Sequence, residues 1–209
     1  MPTTIPPLAD LLDPIRDYAL RAGAVIMTHY QPGGMGDDVE AKGDGSPVTA
    51  ADREAEAIIT PLLNALTPEI PVIGEEAASA GDLPEIKQGP FWLVDPLDGT
   101  QRYIHGDAGY ATSVALVSRA GRPLLGVVYD PAGDALYEAV KGRGVTCNGA
   151  PLVPPRKDAV PSRPSRLFAD PSLRQHPGFE SLQERFEVCF VGGAVMNAIH
   201  VLTVPNSVY

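Results

Sequence analysis

Three apolar β runs lie between residues 110 and 140, and the turns Arg-Ala-Gly-Arg and Asp-Pro-Ala-Gly-Asp join them. Runs of this kind, separated by such turns, predict an antiparallel meander. Two segments with helical periodicity precede the meander, at residues 8–30 and 49–66. Helices followed by an antiparallel sheet are typical of a layered α+β fold.

The starts of both predicted helices carry sequence signals. In the first helix, Asp13-Pro14 resembles an N-cap followed by proline at the first helical position, so the main helix is expected to begin there. In the second helix, Thr49 and Asp52 resemble a capping box. Pro61 lies inside this second pattern and is expected to kink or end the helix.

Shorter apolar runs predict further strands at residues 70–74, 166–170 and 187–191. A polar, proline-rich connection follows the meander. We therefore expect residues 1–150 to form an N-terminal α+β part, and residues 151–209 to form a partial C-terminal α/β part.

The formal net charge of −10 argues against binding to nucleic-acid polymers, which requires basic residues that neutralise phosphates. An anionic substrate would need a positive counterpart, and a metal ion is the natural candidate.

Cys147 and Cys189 lie far apart and fit neither a disulfide framework nor a zinc site, so a reducing cytoplasm is expected. The N-terminus does not resemble a signal peptide. The longest apolar run contains Asn197 and His200 and is too short for a membrane span.

The most informative stretch is FWLVDPLDGT at residues 91–100. Its apolar start predicts a buried strand, and Pro96 is expected to keep Asp95 extended while the chain turns. A turn can bring Asp95, Asp98 and the Leu97 carbonyl to one side. Such an all-oxygen set suits Mg²⁺ or Mn²⁺. Turn chemistry alone would also account for Asp-Pro and Asp-Gly.

Residues beyond this turn extend the hypothesis. Gly99 permits close backbone approach, and a helix starting at Thr100 would present free N–H groups to an anion. Glu75 and Glu76 follow another apolar strand, where they could face the turn as a ligand and a water-positioning base, or form a solvated loop. Asp52 lies in the first turn of the second helix, where a helix-dipole role would also explain it.

GEE at residues 74–76, WLVDPLDGT at 92–100 and GVVYDP at 126–131 together resemble the inositol monophosphatase superfamily of metal-dependent, lithium-sensitive phosphatases. SPVTAAD and FWLVDPLDGT are most similar to its bacterial 3'(2'),5'-bisphosphate nucleotidases. The resemblance covers residues 8–150 well and the remainder weakly. It implies a layered αβαβα sandwich whose C-terminal layer is incomplete here.

The resemblance also implies site residues. One Mg²⁺ would be held by Glu75, Asp95 and the Leu97 carbonyl, and a second would be shared by Asp95 and Asp98. The attacking water would be oriented by Asp52 and Thr100, with help from Glu76. The phosphate-binding and substrate-binding positions would be Asp98, Gly99, Thr100, Gly193 and Ala194.

Family members carry a C-terminal Trp-Asp whose aspartate contributes to the second metal position. The single tryptophan here is Trp92 in the FWLVDP stretch, so the chain is expected to be truncated or frameshifted, or to be completed by a partner. Lys42 is expected to be a solvated side chain, and Arg102 is the better candidate for contact with a substrate phosphate.

The resemblance implies a cytoplasmic Mg²⁺-dependent phosphomonoesterase, with Mn²⁺ as an alternative metal and a possible homodimeric state. Its small-molecule substrate would be a 3'(2'),5'-bisphosphate nucleotide such as 3'-phosphoadenosine 5'-phosphate. Two alternatives stay open: an inositol-phosphate or sugar-phosphate phosphatase, and a non-catalytic remnant that binds metal and phosphate.

Overall fold

The computed structural model describes residues 5–34, 39–43, 47–86, 89–154 and 165–209. Its helices are α1 (Leu8–His29), α2 (Ala50–Leu66), α3 (Glu75–Ser79), α4 (Thr100–Ile104), α5 (Phe179–Arg185) and α6 (Ala194–Thr203), with a 3-10 helix at Pro171–Gln175. Its strands are β1 (Glu40–Ala41), β2 (Pro47–Val48), β3 (Val72–Gly74), β4 (Phe91–Asp98), β5 (Ala111–Val117), β6 (Pro123–Asp130), β7 (Ala135–Val140), β8 (Gly144–Cys147), β9 (Ala150–Pro151), β10 (Ser165–Phe168), β11 (Phe186–Cys189) and β12 (Ser207–Val208).

The larger sheet has seven strands in the order β3-β4-β5-β6-β7-β8-β9. β3 pairs with β4 in parallel, and each later neighbouring pair is antiparallel. The predicted meander is therefore present as β5, β6 and β7. The sheet holds β4, which carries the acidic turn, between two neighbouring strands.

Helices α1 and α2 pack together against one face of the larger sheet and form the main core. Ile15 of α1 and Ile59 of α2 are fully buried, as is Trp92 of β4. The Trp92 indole N–H donates to the Thr67 hydroxyl at 2.9 Å, which satisfies the polar atom of this buried ring. The core therefore fixes β4 against α2.

The predicted start of the first helix was wrong, because α1 begins at Leu8 rather than near Asp13, and Pro14 lies inside it. Of the two outcomes expected at Pro61, an end of the helix is excluded, since α2 continues to Leu66. Burial of Leu11 before Pro14, and of Leu63 after Pro61, provides the packing that holds these helices across their prolines.

The second sheet is parallel, with the order β11-β10-β12, and α6 packs on it. The predicted strands at residues 166–170 and 187–191 correspond to β10 and β11. Most of the proline-rich connection, at residues 155–164, lies outside the described residues. The division into two parts at residue 150 stays an expectation.

Gly109 lies just before β5, against the segment that follows β11. Its φ is +98°, and a Cβ there would overlap the Val191 carbonyl oxygen. The Gly109 carbonyl accepts the Gly193 N–H at 2.8 Å. Glycine is required here by both backbone conformation and space.

We expect Gly109→Ala to lower the free energy of unfolding by about 3 kcal/mol or more, because the strained conformation and the overlap add together. Gly121→Ala is the matched control, since Gly121 has a φ of +72° but open space around it. The control should cost about 1 kcal/mol. Urea unfolding monitored by circular dichroism would measure both losses, and equal losses would contradict the close contact at Gly109.

Candidate active site

The acidic stretch of β4 contains a β-bulge. Asp95 pairs with Ser113 and Asp98 pairs with Ala111, so β4 carries one more residue than β5 between these pairs. The strand therefore does not end at Asp95, as the proline suggested, but continues to Asp98. The bulge redirects the chain between the two carboxylates, which is a common device next to active sites.

The bulge is fixed by hydrogen bonds. The Asp95 carboxylate accepts the Leu97 N–H at 3.1 Å, and the Thr112 hydroxyl donates to the Pro96 carbonyl at 2.9 Å. The Leu97 carbonyl accepts the Thr100 hydroxyl at 3.0 Å. The backbone that carries the predicted metal ligands is thus held on both sides.

Asp52 is fully buried in the first turn of α2. One carboxylate oxygen accepts the Thr49 N–H at 2.8 Å and the Thr49 hydroxyl at 2.6 Å, so the predicted capping box is present. The other oxygen accepts the Thr100 hydroxyl at 3.1 Å. Burial raises the pKa of Asp52 despite these hydrogen bonds. The structure thus brings Asp52 and Thr100 together.

Glu75 and Glu76 begin α3, directly after β3. Lys42 bridges them, with its ammonium 2.7 Å from Glu75 and 2.8 Å from Glu76. The Lys42 side chain is only 6% exposed, so the expectation of a solvated lysine was wrong. Burial alone would lower the pKa of Lys42, but its hydrogen bonds to Glu75 and Glu76 raise it, so the ammonium stays charged.

Asp98 connects β4 to α6. Its carboxylate oxygens accept the Ala194 N–H at 3.0 Å and the Val195 N–H at 2.9 Å. A helix N-terminus leaves N–H groups without intrahelical partners, and a carboxylate satisfies them well. Burial nevertheless raises the pKa of Asp98 above its ordinary value.

The predicted phosphate-binding residues also lie together. Gly99 has a left-handed φ of +86° and precedes α4, while a Cβ on Gly193 would overlap Asp98 and lie 2.7 Å from Gly99. The Ala194 N–H is used by Asp98. The structure thus places Gly193 and Ala194 against the turn, although their role in binding phosphate stays a prediction.

The carboxylates at this turn have the chemistry of a divalent-cation site. Asp95 is mostly buried, and its pKa is raised to about 8 because of this burial and of the charges on Glu75 and Asp98. A divalent cation bound by these carboxylate oxygens would relieve the repulsion between Asp95, Glu75 and Asp98. The residues present therefore fit Mg²⁺ or Mn²⁺.

Within the part of the chain that the structure describes, no group of three or more histidine, cysteine, aspartate or glutamate side chains is arranged to hold a metal ion. Two of the predicted metal ligands instead have separate partners, since Lys42 pairs with Glu75 and the first N–H groups of α6 donate to Asp98.

Other residues near the turn have structural partners. Arg102 donates to the Ala108 carbonyl at 3.2 Å and pairs with Asp107 at 3.3 Å. Its contact with a substrate phosphate stays a prediction.

Glu56 was not considered from the sequence, yet its carboxylate accepts the N–H groups of Glu76 and Ala77, each at 2.9 Å. Its position one helical turn after Asp52 was the available signal.

The chain is similar to known proteins in both sequence and fold. Residues 8–196 match the inositol monophosphatase family. The chain is 41% identical over 133 residues to the 3'(2'),5'-bisphosphate nucleotidase CysQ of Escherichia coli O157:H7, a match that covers 64% of this chain and 53% of that protein. It is 37% identical over 155 residues to an inositol monophosphatase of Mesembryanthemum crystallinum, covering 74% of this chain and 56% of the relative. Its fold resembles that of the Thermotoga maritima IMPase, with a TM-score of 0.75, 26% identity, and coverage of 92% and 72% of the two chains.

The layered fold is thus that of the inositol monophosphatases, which confirms the predicted fold class. The chain belongs to the inositol monophosphatase family. It spans about half the length of the two relatives described above, at 53% and 56%. Within the described residues, no helix is both long enough and apolar enough to cross a membrane.

We expect Asp95→Asn to stabilise the protein in EDTA. The raised pKa of Asp95 means that the folded protein binds more protons than the unfolded chain, from the ordinary pKa of 3.8 up to about 8. The stability that the protonated carboxyl provides is therefore lost as the pH rises through this window. The asparagine should gain about 1–3 kcal/mol at pH 8 and less at pH 5.

Thermal unfolding of the wild type and of Asp95→Asn at several pH values would measure this gain in stability. Asp130→Asn is a control, because its carboxylate lies in an exposed turn and accepts the N–H groups of Ala132 and Gly133. A loss of stability in Asp95→Asn at pH 8 would show that Asp95 has a structural role instead.

Proposed function

We propose that this protein is a Mg²⁺-dependent phosphomonoesterase that hydrolyses small phosphorylated metabolites. The main support is the hydrogen bond from Thr100 to the buried Asp52, located beside the carboxylates of the β4 bulge. In this pair, the Thr100 hydroxyl can orient a water molecule and the Asp52 carboxylate can accept a proton. Membership of the inositol monophosphatase family supports the same reaction class.

The metal ligands in this proposal are the oxygen donors of the turn. Glu75, Asp95 and the Leu97 carbonyl would hold one Mg²⁺, and Asp95 and Asp98 would share a second, with Mn²⁺ as an alternative. When bound, the metals would supply a nucleophilic water at neutral pH and neutralise charge on the phosphate and the departing oxygen. The net charge of −10 makes this neutralisation important for an anionic substrate.

The chain's own residues would orient the water. The Thr100 hydroxyl has one proton, which it can donate to Asp52 or to the Leu97 carbonyl. Its oxygen lone pairs then remain available to accept a hydrogen bond from water. Asp52, whose pKa is raised by burial, would take up the proton that leaves the water through Thr100. Glu76 would help to orient the same water.

The phosphate would lie against the turn that precedes α4. The N–H groups of Gly99 and Thr100 would contact its oxygens, and the absence of a side chain on Gly193 leaves the backbone close by. Ala194 would act mainly by donating its N–H to Asp98. Asp98 would therefore be positioned by the C-terminal part of the chain.

We infer that the substrate is a 3'(2'),5'-bisphosphate nucleotide, such as 3'-phosphoadenosine 5'-phosphate, yielding a nucleoside monophosphate and phosphate. The match to CysQ at 41% identity supports this substrate. An inositol phosphate or a sugar phosphate is the second candidate, supported by the 37% identity to a plant inositol monophosphatase.

The decisive experiment measures phosphate release from nucleotide bisphosphates, inositol phosphates, sugar phosphates and an aryl phosphate. We expect turnover with Mg²⁺ on the bisphosphate nucleotide, inhibition by lithium, and loss of turnover in excess EDTA. Full activity in EDTA would contradict the metal requirement. No release from any substrate over a range of Mg²⁺ and Mn²⁺ concentrations would favour a non-catalytic binding protein.

We expect Thr100→Val to reduce kcat by about 100-fold or more, because the hydroxyl that links the water to Asp52 is removed. Thr67→Val is the matched control, since the buried Thr67 hydroxyl contacts Trp92 and Leu63 in the core. The control should lose stability but keep its kcat. Similar kcat values for Thr100→Val and the wild type would refute the proposed role of Thr100.

A cytoplasmic location and a homodimeric state are further parts of this proposal. Cell fractionation would test the location, and sedimentation velocity would test the oligomeric state.

A further inference from the structure

We propose that Glu56 is a positioning residue, which holds Glu75 and Glu76 in place through the backbone of α3. The inference rests on the proposed function, because Glu75 and Glu76 are the assigned metal ligand and water-orienting residue. Glu56 needs no contact with metal or substrate for this role. It would act by fixing where α3 begins.

The start of α3 is capped by a residue from another helix. Gly74 occupies the N-cap position and has no side chain that could accept a hydrogen bond. Instead, the two Glu56 oxygens accept the N–H groups of Glu76 and Ala77, each at 2.9 Å. These are two of the N–H groups that a helix N-terminus leaves without intrahelical partners. Glu56 thus performs the function of an N-cap side chain from α2.

The same helix carries the group proposed to accept the proton. Asp52 and Glu56 are one turn apart on the buried face of α2, at 0% and 8% exposure. Asp52 contacts Thr100, whereas Glu56 contacts the start of α3. α2 therefore sets the position of Glu76 relative to the Asp52–Thr100 pair.

Space, rather than backbone conformation, explains the glycine at position 74. Its φ of −88° and ψ of 149° are accessible to any residue. However, a Cβ on Gly74 would overlap the Glu56 carboxyl group. Gly74 and Glu56 therefore form a complementary pair, in which the missing side chain makes room for the carboxylate.

A carboxylate suits this position better than an amide. Glu56 offers an acceptor oxygen to each of the two N–H groups, whereas glutamine would present an NH₂ group to one of them. A carboxylate also adds negative charge next to an acidic site, which is unfavourable in itself. Two hydrogen bonds to a helix N-terminus offset this cost.

Binding of Mn²⁺ to the EDTA-stripped and dialysed full chain, measured by isothermal titration calorimetry, tests the inference without turnover. We expect Glu56→Gln to weaken Mn²⁺ binding by about 10-fold, as is usual when a residue that orients a ligand is changed. Amide hydrogen exchange at Glu76 and Ala77 should become faster in the same variant.

Glu138→Gln is the matched control. Glu138 is another buried glutamate, at 4% exposure, and it lies on β7, where it pairs with Arg16 of α1. Its substitution should lower stability but leave the Mn²⁺ affinity unchanged. The comparison separates positioning of the site from a general loss of stability.

A rescue variant provides a second, independent test. Gly74→Ser alone should destabilise the protein and weaken Mn²⁺ binding, because its side chain overlaps Glu56. In a Glu56→Ala background the space is free, and serine at this position can cap α3 directly. Gly74→Ser should then restore part of the Mn²⁺ affinity lost in Glu56→Ala, so the two substitutions would be strongly non-additive.

The outcomes also distinguish this inference from the proposed function. If the wild-type protein binds no Mn²⁺, both are overturned. If the wild type binds Mn²⁺ but Glu56→Gln binds it within about twofold of the wild type, only the role of Glu56 is overturned. Equal weakening in Glu138→Gln, or no rescue by Gly74→Ser, would likewise overturn the positioning role.

Discussion

The structure depends on holding several carboxylates close together in a buried environment, although they repel one another. Burial and like charge both raise the pKa of Asp95, and burial raises the pKa values of Asp52 and Asp98. Hydrogen bonds from the protein oppose this effect. Asp52 is held by Thr49 and Thr100, Asp98 by the first N–H groups of α6, and Asp95 by the Leu97 N–H. Each of these three acids thus has its own hydrogen-bond donors within the protein.

These supports explain why distant parts of the chain meet at one point. α2 supplies Asp52 to Thr100 at the start of α4, while the end of β4 supplies Asp98 to the N-terminus of α6. The Gly193 N–H, just before α6, also reaches the Gly109 carbonyl near the start of β5. The core between α1, α2 and β4 keeps this meeting point rigid, because closely packed interiors leave little freedom for the strand to move. In the proposed reaction, charged groups that are held in place before substrate binds would favour electrostatic catalysis.

The sequence was most informative where local chemistry determines local structure. The Thr49–Asp52 capping box, the meander and the helix that starts at Thr100 could all be predicted from neighbouring residues. The burial of Lys42 could not, because its partners Glu75 and Glu76 are more than thirty residues away. The contact of Glu56 with α3 is also nonlocal, at twenty and twenty-one residues. The continuation of α1 across Pro14 and of α2 across Pro61 also has a nonlocal cause. Tertiary packing of the flanking apolar residues outweighed the local helix-breaking preference of proline.

The distribution of these residues also bears on why the chain resembles relatives whose names denote different substrates. Asp52, Thr100 and the carboxylates of the β4 bulge surround the place proposed for the phosphate and the attacking water, and neither depends on the rest of the substrate. A nucleotide bisphosphate and an inositol phosphate share that phosphate group and differ in the leaving group. The reacting phosphate would therefore present the same chemistry to these residues in both cases. Discrimination between the two substrates must come from contacts to the departing group, because the energy difference that selects one substrate arises only where the substrates differ.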